Sequence, residues 1–330
     1  MTTLSYKTPT ATSERFDWGE WLSKFGSLFG LVFVLVLFSA TAYDTFCRVG
    51  NFELILRQTA VVGTGALGMT LIIITGGIDL SAGSAVALYT VAIALLLKQG
   101  VPPIWAALGG VVVASLCGMI IGLLITRLKL AAFVATLGMF GAMRGIAKGL
   151  ADNSMVYPPT TWLNQLLRPL SPEHVWLLTP GAWMMIVLAV LVAAMLRYTR
   201  FGRHIFALGS NEQTARLCGV NVGRMKLLIY MLASVFIGLA GVLQFSYLTM
   251  GDPTTAVGME LDMIAAVVIG GASLNGGQGS VLGSLVGALI MTIVSNGCTK
   301  LGLENWVQEI VTGGIVVFAV AVDQLRQRKS

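Results

Sequence analysis

The segment Gly76-Gly77-Ile78-Asp79-Leu80-Ser81-Ala82-Gly83-Ser84 sets a carboxylic acid and two hydroxyls in a glycine-rich break between two long apolar runs. An ionisable side chain at membrane depth is expensive and marks a polar path or a locally satisfied structural device. Asp79 stands just ahead of an apolar run starting at Ala82, where an Asp or Ser can cap the free N–H groups of a helix. Capping is the favoured reading, and direct substrate contact and a conformational role are the alternatives. A second break, Gly270-Gly271-Ala272-Ser273-Leu274-Asn275-Gly276-Gly277-Gln278-Gly279-Ser280, echoes the first, with a Gly-Gly pair and a Gly-Ser entry into the next apolar run. Irregular backbone at membrane depth is tolerated only where it is buried or lines a cavity, so paired breaks point to a transport pathway. Gly76, Gly77, Asp79, Ser81, Ser84, Asn275 and Gln278 are the candidates for that path or for the broken helices beside it. The two amides can bind hydroxyls or answer freed backbone groups. The breaks share an orientation and establish no inverted repeat.

Other chemistries lack their residues. There is no G-x-S-x-G elbow, no H-E-x-x-H and no G-x-x-x-x-G-K-S/T phosphate loop. Any ATP-driven activity therefore borrows its energy from another subunit. Cys47, Cys117, Cys218 and Cys298 are far apart, and His174 and His204 have no ligand partner at i+3 or i+4, so neither a disulfide framework nor a metal site is expected.

The chain of 330 residues is 56% hydrophobic and 11% charged, far below the roughly 25% charged residues of soluble domains. It reads as an all-α polytopic membrane protein with about ten transmembrane helices and glycine-rich broken segments. The apolar stretches run near Ser27–Cys47, Thr59–Thr75, Ala82–Leu97, Ile104–Thr126, Ala131–Leu150, Gly181–Leu196, Leu227–Leu248, Leu261–Ser273, Ser280–Cys298 and Trp306–Val322. The third and eighth are short enough for re-entrant segments. Residues 1–26 form a cytoplasmic N-terminal segment, 27–323 one transmembrane domain and 324–330 a cytoplasmic tail. With both termini inside, the inner segments hold fourteen of the 21 Lys and Arg residues, as the positive-inside rule requires. The net charge of +6 is thus topological, and no basic, aromatic-interleaved groove for nucleic acid is present.

The N-terminal segment lacks the features of a secretory signal. Within it Trp18, Trp21, Leu22 and Phe25 have the spacing of an interfacial helix resting on membrane lipid. The outer loop from Ala151 to Pro180 carries five prolines and cannot be one regular helix. The inner loop from Arg197 to Lys226 combines six basic residues with a short helix that Ser210 or Asn211 caps and Gly219 stops. Such a helix is what a cytosolic motor could grip; the alternative is a basic loop that only enforces topology.

Three stretches, Met69–Ser84 (MTLIIITGGIDLSAGS), Thr199–Arg203 (TRFGR) with Gly209–Asn221, and Glu260–Gly271 (ELDMIAAVVIGG), resemble the bacterial ribose-type monosaccharide permeases of ATP-binding cassette transporters. The resemblance runs from about Asn51 to Asp323. It implies an importer in the bacterial inner membrane, in which a periplasmic or lipid-anchored sugar-binding protein delivers a monosaccharide and a second permease chain completes the path. A cytosolic ATP-binding subunit supplies the energy, so the chain itself needs no cofactor and is no enzyme. In that frame Glu212, Ala215, Arg216 and Gly219 match the segment that seats in the ATPase. Counting back from Gly219, however, Gln213-Thr214-Ala215 occupy the E-A-A places of the wider group's pattern, which makes Glu212 a doubtful contact. The competing class is a self-sufficient secondary transporter or facilitator, which would normally carry more ionisable groups in its spans.

Overall fold

The structure, a computed structural model, describes residues 18–170 and 178–327, and the side chains of 26–170 and 178–324. The aromatic stripe at Trp18, Trp21, Leu22 and Phe25 lies outside the described side chains. Helices follow in the order α1 (Trp18–Thr41), α2 (Tyr43–Phe46), α3 (Val49–Ile74), α4 (Ala82–Lys98), α5 (Pro103–Thr126) and α6 (Ala132–Leu150). After a 3-10 turn at Trp162–Gln165 come α7 (Pro180–Tyr198), α8 (Arg200–Ser210), α9 (Glu212–Leu217), α10 (Val222–Leu248), α11 (Met259–Ile269), α12 (Val281–Lys300) and α13 (Asn305–Gln327). Among the described residues the one β-type pairing is an isolated bridge between Val156 and Gly251.

Each apolar run read from the sequence falls on a helix, but among the described residues six helices, α3, α5, α7, α10, α12 and α13, are long and apolar enough to cross a membrane. The apolar part of α1 (Gly26–Thr41) and α4 are shorter. α11 is only 11 residues because the chain before it enters as irregular backbone. Thr249 turns out of α10 in a left-handed conformation, φ 62°. Gly251 then lies against Thr90 and Ala94 of α4, and Ala256 reaches Gly83 at the start of the same helix. The segment thus runs beside α4 for roughly 16 Å at 1.5 Å per residue before helix resumes.

α3 is the hub. It contacts α7, α10, α11 and α12, and its residues from Thr59 to Ile74 are all buried. Lipid tails offer no hydrophobic drive for helix association, so small residues and interhelical hydrogen bonds must hold such a bundle. Both are present. A polar ladder joins α3 to α12 through Asn51–Asn296 (2.9 Å), Thr59–Thr292 (2.6 Å) and Thr70–Ser284 (2.8 Å). Gly68 brings the α3 backbone against the carbonyl of Ala233 in α10, and Gly118 brings α5 to 2.5 Å, measured from an added Cβ, of the Tyr230 carbonyl and the Ser234 hydroxyl.

Gly68→Ala drives a methyl into the Ala233 carbonyl and is expected to destabilise the fold by about 1–3 kcal/mol, seen as a lower midpoint of thermal unfolding in detergent. Gly50→Ala, whose added carbon meets no atom within 4 Å, leaves that midpoint unchanged or raises it; equal losses would remove the close-approach argument.

Candidate functional site

Asp79 is 1% exposed. Its Oδ1 accepts from the backbone N–H of Ser81 (2.8 Å) and from the Ser81 hydroxyl (2.6 Å). This is an Asx turn closing two residues on, and it corrects the expectation of a helix cap. The N-cap position of α4 belongs to Ser81, whose side chain makes no capping bond. Asp79 therefore answers the backbone one step before the helix. Next to it, the carbonyl of Ile78 accepts from Thr136 of α6 (3.3 Å). Gly77 lies close beneath the hydroxyl of Tyr230.

The two glycine-rich breaks meet. The N–H of Gly277 donates to the carbonyl of Ile74 (2.8 Å), joining the second break to the end of α3. Gly209 of α8 sits in the same place: a carbon added to it would overlap the Ile74 carbonyl and stand 2.5 Å from the Gly277 nitrogen. One added to Gly276 would stand 2.8 Å from the Gly209 oxygen and 2.9 Å from the Gly76 nitrogen. Gly76, Gly276 and Gly277 have φ of 75°, 89° and 76°, a region open to glycine at no steric penalty. Three segments therefore touch main chain to main chain. Asn275 and Gln278 are exposed at this junction, with the Gln278 carbonyl accepting from Ser273 N–H (3.2 Å).

The junction leads directly into the loop read as a coupling segment. Thr199 caps α8, accepting from Gly202 N–H (3.1 Å), and Ile205 and Leu208 bury its apolar face. α8 is strongly amphipathic, a pattern already visible in its sequence. Asn211 ends α8 and caps α9, accepting from Thr214 N–H (2.9 Å). Gly219 stops α9 at φ 87°, with Val220 N–H donating to Ala215 O (3.0 Å) in the closing bond of a Schellman motif. Of the four coupling candidates, Ala215 is buried and Arg216 exposed. Glu212 accepts from Lys226 of α10 (2.7 Å) and from Arg216 (3.1 Å). The hydrogen bond from Lys226 holds its carboxyl below the usual carboxylate range. Glu212 thus ties α9 to α10, and Arg216 and Leu217, the latter 89% exposed, present the outer surface.

Two features escaped the sequence reading. Arg144 lies within α6 and donates to the carbonyls of Pro253 (3.0 Å) and Thr255 (2.7 Å) and to Ser84 Oγ (3.3 Å). It holds the irregular segment before α11 onto α4, and it places Ser84 in a structural contact. A cation at the middle of an apolar run was the available signal. The second feature is a cavity of about 170 Å³ between α3, α10, α11 and α12, whose polar lining is Gln58, Gln244, Tyr247, Asp262, Thr292 and Ser295. Gln58 precedes Ile74 by sixteen residues, so the cavity lies roughly 24 Å along α3 from the glycine junction. None of the seven path candidates from the two breaks lines it. Its residues are single polar positions on four separate helices, without a motif to mark them.

A bundle of apolar helices with a polar cavity and an amphipathic lever at one end defines a membrane permease. The chain belongs to the family described as branched-chain amino acid transport system / permease component, which matches residues 51–320. It is 36% identical over 326 residues to the ribose import permease protein of Escherichia coli (strain K12), covering 97% of this chain and 99% of that one. The ribose import permease protein of Bacillus subtilis (strain 168) is 37% identical over 305 residues, 92% and 93% of the two chains. The fructose import permease protein of Rhizobium meliloti is 33% identical over 299 residues, 89% and 83%. No solved structure matches the chain. The resemblance carried by the three sequence stretches is confirmed, and the chain is a transport component, not an enzyme.

Asp79→Asn keeps the Oδ1 acceptor and is expected to retain stability and transport, whereas Asp79→Ala leaves the buried N–H of Ser81 unanswered at about 1–3 kcal/mol. Thermal midpoints of the two purified variants check this, and equal loss in both would show a need for charge. Gly209→Ala is expected to force the junction apart, abolishing most transport while the chain still inserts; wild-type uptake would show that the contact is dispensable.

Proposed function

We propose that the chain is the transmembrane subunit of an ATP-binding cassette importer that carries a monosaccharide across the bacterial inner membrane. The observation that carries this reading is near full-length identity to ribose and fructose import permeases. It is supported by α9, a capped helix with an exposed Arg-Leu tip that a motor subunit can hold. In this reading ten of the helices, α1, α3 to α7 and α10 to α13, span or enter the membrane, with residues 27–323 as one domain and both termini in the cytoplasm. α8 and α9 then face the cytosol beside the two glycine-rich breaks. A separate ATP-binding subunit docks there and binds the nucleotide, a sugar-binding protein delivers substrate to the opposite face, and a second permease chain completes the path.

The mechanism follows from the connection between α9 and the breaks. Glu212 fixes α9 to α10 through Lys226, and Gly209, two residues before the α9 cap, bears on Ile74 and Gly277. A displacement of α9 by the motor is thereby passed to the ends of α3 and of the second break without slack from intervening side chains.

Proteoliposomes provide the test. Accumulation of labelled sugar is expected only when the chain is reconstituted with its ATP-binding subunit, its sugar-binding protein and ATP; concentrative uptake by the chain alone would sink the proposal. Arg216→Ala is expected to leave insertion intact and to uncouple ATP hydrolysis from uptake, and unchanged uptake would remove α9 as the docking element.

A further inference from the structure

We infer that the cavity between α3, α10, α11 and α12 is a transit site that holds one neutral polyhydroxy molecule, a single monosaccharide ring, within each permease chain. This rests on the importer reading and adds the residues that would hold the substrate.

Gln58 supplies the key observation. Its Nε2 reaches the Tyr247 hydroxyl (3.4 Å), while its Oε1 is buried without a hydrogen-bond partner. A buried acceptor left unanswered is costly, and because Gln58 lines the cavity, a turn of its amide brings that acceptor to a hydroxyl donor there. Asp262 brings a second acceptor to the same space, and Ser295 a hydroxyl that can donate or accept. Gln244 is held in place at the wall, its Nε2 donating to Thr255 Oγ1 (3.0 Å). Thr255 is in turn fixed by Arg144. The remaining wall is Val61, Val62, Met259 and Met291. Polar groups and aliphatic carbon share the lining, which matches a sugar ring with its hydroxyl edges and C–H faces.

Charge excludes the main competitors. The cavity is lined by one acid and no cation. The carboxylate of an amino acid, or a sugar phosphate, would lose its hydration there with no counter-charge in the lining to replace it. Arg57 is nearby but already committed, with Nε on the Leu167 carbonyl and its guanidinium 5.2 Å from the centre of the Tyr247 ring. The volume of about 170 Å³ exceeds the ~10–15 Å³ that admits one water and falls below the ~300 Å³ of a drug-sized pocket.

The test uses the full complex in proteoliposomes with D-ribose, D-fructose and D-allose as labelled probes and L-leucine as the comparison. For whichever sugar the wild type accumulates, Gln58→Leu and Asp262→Ala are each expected to lower maximal uptake by about tenfold, the scale of one lost hydrogen bond to a buried or charged acceptor. ATP hydrolysis stimulated by the loaded binding protein stays within about twofold of wild type, since neither residue touches α9. Wild-type uptake in the Leu and Ala variants overturns the site, as does parallel loss of uptake and stimulated hydrolysis, which would mark the two residues as structural. ATP-dependent leucine uptake by the wild type overturns the substrate class. Failure of the wild type to accumulate any of the three sugars overturns the importer reading itself.

Discussion

Contact of main chain with main chain at Gly209, Ile74 and Gly277 is the constraint on which the rest of the molecule depends. Side chains can rotate to absorb a displacement, whereas peptide groups in van der Waals contact cannot, because packed interiors behave as discrete arrangements and not as soft ones. The absence of Cβ atoms at Gly209, Gly276 and Gly277 permits this approach. It also explains why both breaks are glycine-rich although they lie some two hundred residues apart in sequence: they are two sides of one joint, closed by the end of α8. The cap at Asn211 and the Glu212–Lys226 pair continue the stiff connection into α9 and α10.

Away from the joint, the bundle satisfies its polar groups by pairing them locally. Asp79 turns onto Ser81, Arg144 takes two carbonyls of a segment that has left helical geometry, and α3 and α12 exchange amide and hydroxyl bonds. A membrane interior makes any omission expensive. The cavity stands out against this background because it gathers six polar side chains from four helices in one space. The chain that positions its wall is continuous, from Arg144 through Thr255 to Gln244.

Much of the fold was legible because it follows from hydropathy and helix punctuation. The apolar runs fall on helices, and Asn211 and Gly219 bound α9 as their side-chain chemistry and φ freedom require. What stayed hidden was set by tertiary context. Asp79 precedes an apolar run as a cap would, yet the Ser81 hydroxyl and N–H capture it first. The shortness of α11 depends on Gly251 and Ala256 lying along α4, a contact no local pattern encodes. Asn275 and Gln278, amides in a break, stand exposed at the joint, and neither lines the cavity. Gln58, Gln244 and Asp262 each read as a lone polar residue, and only the packing of four helices brings them together.

α3 is at once the most buried of the six long apolar helices and the least apolar. Its threonines and glycines are tuned to partners in α10 and α12, residues such as Ala233, Ser284 and Thr292, which are synthesised some 160 residues or more after it. The contacts that bury α3 therefore form only once the second half of the chain has been made, although its threonines can meanwhile bond to carbonyls of their own helix. Membrane insertion of this protein is thus not a sequence of independent steps. The burial of an early helix is completed by late ones, α12 among them.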